Sequence, residues 1–261
     1  VKRTKAGEEP LPVARLESRR EVVDTPQFRR FFGDSKIVDP QGNPLPVYRG
    51  TYGDVDDAQF PTEIAGALSF AITPEGAAEY ALMGEKPNRS GRIGKYYIRS
   101  ENPLVIGPIP LQDLLDASAK HESDPFVSLG EIEKFAGSDA AMAVAIKEVE
   151  TGDESTLSYL IESAIELGVI ADTDVEVIPE NVNLFDLDTD WYQDFIRSLE
   201  SLDKERFDRL DVRIYMPADT REVVDGIAER GFDSLVYFDD ITGDVEIRPV
   251  SPNQVKSAIA N

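Results

Sequence analysis

Ser234-Leu235-Val236-Tyr237-Phe238, then Asp240-Ile241-Thr242-Gly243, then Val245-Glu246-Ile247-Arg248-Pro249-Val250 is the stretch whose reading decides the fold. Two runs rich in β-branched and aromatic residues flank a short polar segment with glycine, the pattern of a β-hairpin. In the second run, alternation puts Val245 and Ile247 on one face of the strand and Glu246 and Arg248 on the other. The apolar face needs a core, and the charged face is expected to line a cleft. Outward from the hairpin, residues 212–216 read as a strand and 221–230 as a helix capped by Gly231. Ser251-Pro252 reads as the start of a last helix.

The N-terminal part carries the same mixture. Residues 1–24 are polar, without periodicity, and read as a tail or linker. Thr25-Pro26 opens a helix, with Thr25 as N-cap, whose apolar side is Phe28, Phe31 and Phe32 and which Gly33 ends. Residues 39–44 form a turn, and 45–49, 68–72 and 94–100 read as strands. Thr73-Pro74 caps a helix with Ala77, Ala78, Ala81 and Leu82 turned inward. Between about 104 and 211 the apolar spacing becomes helical: Ala140, Ala141, Val144 and Ala145; then Leu157, Leu160, Ile161, Ala164 and Ile165; then Trp191, Phe195 and Leu199. The expected fold is α+β: one domain over 25–261, β-rich at both ends, with a mostly helical insertion at about 104–211. Val1-Lys2-Arg3-Thr4-Lys5 lacks an initiator Met and a signal-like apolar stretch, and reads as the start of a piece cut from a longer polypeptide.

Composition removes several classes of function. A net charge of −23 repels phosphate backbones, so duplex nucleic acid is not expected, and a small ligand or a basic protein fits better. With no cysteine, disulfides, thiolate nucleophiles and zinc ribbons are out. His121, the single histidine, excludes His-based triads and multi-His metal sites; it is expected on the surface, and no metal is expected. No apolar run approaches the roughly 20 residues that span a bilayer, so no membrane association is expected. Asp186-Leu187-Asp188-Thr189-Asp190 starts like a calcium loop, but Trp191 stands where glycine is needed and Arg197 where the bidentate glutamate is needed. Lys86, Arg89, Arg92 and Lys95 make a basic stretch that reads first as an exposed loop and second as a contact for phosphates or a target.

Three segments far apart in sequence carry a resemblance. They are Val47-Tyr48-Arg49-Gly50-Thr51; Gly66-Ala67-Leu68-Ser69-Phe70-Ala71 with Pro74-Glu75-Gly76-Ala77-Ala78-Glu79-Tyr80-Ala81; and Val245 through Arg248 with the tail Pro252-Asn253-Gln254-Val255-Lys256-Ser257-Ala258. Together with the opening Thr25-Pro26-Gln27-Phe28 through Lys36, they resemble the ADP-ribosyltransferase superfamily, most closely the polyvalent ADP-ribosyltransferase domains of phages and mobile elements. The resemblance covers about 25–105 and 212–260. It implies a split β-sheet core, two small sheets facing each other around an NAD+ cleft, and a triad of the Arg-Ser-Glu form at Arg49, Ser69 and Glu246. That group more often has His and Tyr at the first two positions. It further implies that Arg49, Gly50, Thr51, Ser69, Phe70 and Tyr80 meet NAD+, with Gly50 giving the backbone close access to the nicotinamide amide and Tyr80 stacking on the nicotinamide ring. Asp244 stands where arginine-modifying relatives carry Glu or Gln, which makes arginine the expected acceptor.

The chemistry fits the composition. Breaking the nicotinamide–ribose bond builds positive charge on the sugar, which a fixed carboxylate stabilises as it develops. Nicotinamide leaves without a proton, so a chain with one histidine and no cysteine can run the reaction. The expected function is mono-ADP-ribosylation of a host protein in the bacterial cytoplasm, reached from a phage particle, with NAD+ as substrate. NAD+ glycohydrolysis is the second enzymatic reading, and a catalytically silent binding or virion-structural module the third. Taken singly each residue is bland: Arg49 at a strand end, Ser69 on a half-buried strand, Glu246 as solvated charge, Tyr80 as core. Their order and surroundings carry the reading.

Overall fold

The computed structural model describes residues 22–52, 68–82, 91–121, 125–151, 160, 163–169, 189–240 and 242–258. The expected opening forms. In α1 (Pro26–Phe32) the Thr25 side chain accepts from the Phe28 N–H at 3.1 Å and Pro26 occupies the first turn, where its missing N–H costs nothing. Phe28 is buried edge-on against Tyr97, ring centroids 4.9 Å apart. The chain continues through β1 (Val47–Tyr52), β2 (Phe70–Ala71), α2 (Pro74–Leu82), β3 (Gly91–Ile98), β4 (Pro103–Val105) and α3 (Leu111–Leu114). A lobe follows with β5 (Phe126–Ser128), α4 (Leu129–Ala136), α5 (Ser138–Thr151), α6 (Thr189–Glu200), α7 (Lys204–Phe207) and β6 (Asp211–Arg213). Then come α8 (Met216–Asp219), α9 (Arg221–Glu229), the hairpin β7 (Ser234–Asp239) and β8 (Asp244–Pro249), and β9 (Val255–Ser257).

The fold is α+β. Seven strands form one sheet in the order β4-β7-β8-β2-β1-β3-β9, and β5 pairs with β6 in a second, two-stranded sheet. Among the described residues only β4 and β7 run parallel in the large sheet. The two facing sheets expected from the resemblance are joined. Two residues of β2 bridge them: Phe70 opposite Ile247 and Ala71 opposite Glu246 on one side, Tyr48 opposite Ala71 on the other. The sheet is narrowest there, where Ser69 and Glu246 lie.

Three expected boundaries shift for physical reasons. The strand expected at 212–216 stops at Arg213, because Pro217 cannot donate to a ladder and suits the first turn of α8 instead. The last helix expected from Ser251-Pro252 is a single 3-10 turn, Pro252–Gln254, closed by a capping box. Gln254 ends it: its amide nitrogen donates to the Arg99 and Asp233 carbonyls and its oxygen accepts from the Ser251 N–H. The chain is thereby aimed at the free edge of β3, on which β9 pairs. Leu104 and Val105, at the expected start of the insertion, are strand residues of the large sheet.

The sheet has a core on each side. Val47, Phe70, Ile98, Val236, Val245 and Ile247 belong to one buried cluster. Leu235 and Tyr237 belong to another, shared with Ala141, Val144, Leu160, Phe195 and Leu199 of the lobe and with Val223 and Ile227 of α9. The helical spacing of the lobe sequence thus serves a core that reaches the sheet itself. Among the described residues no helix is long and apolar enough to cross a membrane.

Candidate active site

The charged row of β8 is buried: Asp244 is 6% exposed, Glu246 0% and Arg248 7%. Each member is tied to a different neighbour. Asp244 accepts from the Thr73 N–H (2.9 Å) and hydroxyl (2.6 Å) through Oδ2, and from the Val245 N–H through Oδ1. It therefore holds the start of α2 against β8. Burial raises its pKa, with the Thr73 bonds opposing. At the other end Arg248 donates through Nη1 to Asp219 of α8 at 2.8 Å and through Nε to Glu246 at 2.8 Å.

Glu246 lies between them and is gripped on one oxygen. Its Oε2 accepts from Ser69 Oγ (3.0 Å), the Tyr237 hydroxyl (2.7 Å) and Arg248 Nε (2.8 Å). Its Oε1 is buried and has no hydrogen-bond partner among the described residues. Burial works against the Arg248 charge, but Glu246, Tyr237 and Asp219 together raise its pKa well above the ordinary value. Burial also pushes the Tyr237 phenol up, so that it remains a neutral donor.

Ser69 joins the first segment to the third. Its hydroxyl donates to Glu246, and its carbonyl accepts from Arg49 Nη1 at 3.2 Å. The Arg49 guanidinium lies over the Phe70 ring, 5.8 Å from its centroid. Burial lowers the Arg49 pKa, and Arg248 nearby pushes the same way. Arg49, Ser69 and Glu246 are thus one connected set of contacts.

Other residues singled out in the sequence fall differently. Phe70, expected at NAD+, has 0% exposure, sits edge-on to Tyr96 in the core and carries the Arg49 guanidinium over its ring. Gly50 has a packing reason of its own: a Cβ there would stand 2.0 Å from the Ala77 carbonyl oxygen and 2.8 Å from the Ala81 nitrogen, so glycine lets α2 lie against β1. Thr51 is half-buried on β1, opposite Arg92. Tyr80 is on α2, and its side chain lies outside the described residues. Arg92 and Lys95 belong to β3, while Lys86 and Arg89 lie outside the described residues, as do Asp186, Leu187 and Asp188 of the failed calcium loop. His121, expected on the surface, is half-buried against Phe238, ring centroids 5.7 Å apart. Sequence reasoning missed Tyr237, Asp219 and the pairing of Thr73, read only as a helix cap, with Asp244. Of these only Tyr237 had a signal, through the hairpin register that sets it opposite Glu246.

Comparison with known families fits this geometry. A family model described as ADP-ribosyltransferase in polyvalent proteins matches residues 39–261, well over half of the chain. The match spans the helical lobe, which the resembling segments had left out. No curated protein and no solved structure matches. Given a family match of that extent, the chain belongs to the ADP-ribosyltransferases of polyvalent proteins, and is an NAD+-dependent transferase domain.

Proposed function

We propose that this domain cleaves the nicotinamide–ribose bond of NAD+ at Glu246 and transfers a single ADP-ribose to a host protein in the bacterial cytoplasm, reached from a phage or other mobile element. The observation that carries the reading is the contact chain from Arg49 through Ser69 to the buried Glu246 carboxylate. A carboxylate in a water-poor site, already oriented by three donors, needs no reorganisation as the sugar turns cationic. Arg49, with a planar fork of donors, suits the phosphate or ribose oxygens of NAD+. Gly50, Thr51 and Tyr80 flank this position on β1 and α2. The Arg-Ser-Glu form favours single transfer over chain elongation.

The acceptor turns on Asp244. Arginine is the acceptor to test first, since an acid two residues before the catalytic glutamate can take up a guanidinium proton. Both Asp244 oxygens are engaged by Thr73 and Val245, however, so that role needs the start of α2 to let go. The same engagement favours a second reading, with water as acceptor and NAD+ hydrolysis as the outcome.

Incubation with labelled NAD+ and bacterial lysate, followed by mass spectrometry, separates the two: ADP-ribosylated protein supports transfer, free ADP-ribose with nicotinamide alone supports hydrolysis. Glu246→Gln is expected to lower nicotinamide release by about two to three orders of magnitude, as loss of a preorganised charge-stabilising group does. A variant that releases nicotinamide at the parental rate would take Glu246 out of the chemistry, and one that performs like the parent in its biological assay would favour the catalytically silent module.

A further inference from the structure

The grip on Glu246 is one-sided. Three donors from three positions, Ser69 before β2, Tyr237 on β7 and Arg248 on β8, converge on Oε2. Oε1 is buried with no partner among the described residues, although a buried carboxylate oxygen without a donor is costly. Tyr237 is directly opposite Glu246 in the hairpin register, so the two side chains leave the sheet on the same face. Tyr237 is itself 0% exposed and packed in the lobe's cluster, which fixes its ring. Arg248 is held from outside by Asp219, and the Asp219 carbonyl in turn accepts from Lys147 of α5.

We propose that Tyr237 and Arg248 are positioning residues that immobilise Glu246 by Oε2 and reserve Oε1 for the ribose hydroxyl and the charge that develops on the sugar, and that Asp219 anchors this clamp from α8. The proposal rests on Glu246 being the catalytic carboxylate. A hydroxyl from the substrate ribose is the donor that Oε1 lacks. Because Oε2 is saturated, the carboxylate cannot rotate to trade oxygens, and its lone pairs stay aimed along one direction. A misplacement of the order of 1 Å at such a group costs roughly 100-fold in rate.

The test is steady-state nicotinamide release by Tyr237→Phe and Asp219→Asn, with NAD+ affinity by calorimetry and the thermal midpoint measured on the same preparations. Tyr237→Phe keeps the ring and removes one donor; it is expected to lower kcat roughly tenfold while the Kd for NAD+ stays within about twofold. Asp219→Asn, on a half-exposed side chain, is expected to lower kcat roughly threefold with the same unchanged Kd, and it decides the matter alone if Tyr237→Phe does not fold. Parental kcat in the folded variants overturns the clamp. So does a loss of rate matched by weaker NAD+ binding or by a smaller folded fraction, which marks a merely structural role. Glu246→Gln in parallel separates the two levels: if it is inactive while Tyr237→Phe is fully active, only the clamp fails, and if it is fully active, the reading of the site fails with it.

Discussion

Along β8 three buried charged side chains do three different jobs, and their chemistry differs accordingly. The protonation of Asp244 is linked to folding. Its folded pKa is raised above the ordinary 3.8 by burial, so the folded chain holds that proton more tightly than the unfolded chain. Its contribution to stability is therefore full below pH 3.8 and is lost as pH rises through the raised pKa. Urea unfolding of the parent and of Asp244→Asn across this window should show the parent losing stability relative to the variant, by at most about 1.4 kcal/mol per pH unit, and then a constant difference above it. A difference that does not change with pH anywhere above 3.8 would contradict the linkage. Ser69→Ala removes one of three donors to Oε2 and buries no new charge; it is expected to reduce nicotinamide release several-fold while changing stability by about 1 kcal/mol. At this scale the sequence was legible where a residue acts through its own strand. Alternation along 245–250 puts Glu246 and Arg248 on one face, the resemblance singles out Glu246 there, and Tyr237 opposite it follows from counting back through the turn at 240–243. Asp219 was not legible, because its link to Arg248 crosses from α8 to the sheet and no local pattern encodes that approach.

Among the elements, α2 is the one whose seat the site depends on. It packs on β1 over Gly50 and against β8 over Gly76, where a Cβ would stand 2.2 Å from Asp244 Oδ2. Alanine at position 50 would ordinarily be favoured in a strand by several tenths of a kcal/mol through backbone entropy. Here its Cβ would collide with backbone, which cannot rotate away. Gly50→Ala is therefore expected to destabilise by about 1–3 kcal/mol and to depress NAD+ cleavage along with it, as α2 is pushed from β1. Chemical denaturation reads the first effect; a stabilised variant would show that α2 does not sit as described. Gly50 was legible as a special position, but its packing against α2 was not, since the sequence names the missing side chain and not the helix that fills its place. The tail misled in the opposite way. Ser251-Pro252 carries a true helix-start signal, and one turn does form, but the open edge of β3 and the three bonds of Gln254 draw the next residues into β9.

At the level of the whole molecule, the helical lobe looks separable by connectivity and is joined by its core. It leaves and returns at neighbouring points: a Cβ on Gly107 would lie 3.9 Å from Ile214 Cδ1, so a short linker could close the gap. Yet its buried residues form one cluster with Val223 and Ile227 of α9 and with Leu235 and Tyr237 of β7. Burial of such a side chain stabilises by about 1.5–3 kcal/mol, and a domain's whole margin is only about 5–15 kcal/mol. Replacing residues 107–213 by a short Gly-Ser linker would uncover all four, and would remove the Lys147 support of Asp219. The shortened protein is expected to lose its cooperative unfolding transition and to bind a hydrophobic dye, although every resembling segment is still present. If it instead unfolds cooperatively near the parental midpoint and still splits NAD+, the lobe is an attachment. The helical periodicity of 104–211 then serves a core of its own, and the clamp on Glu246 stands without the Lys147 contact behind Asp219.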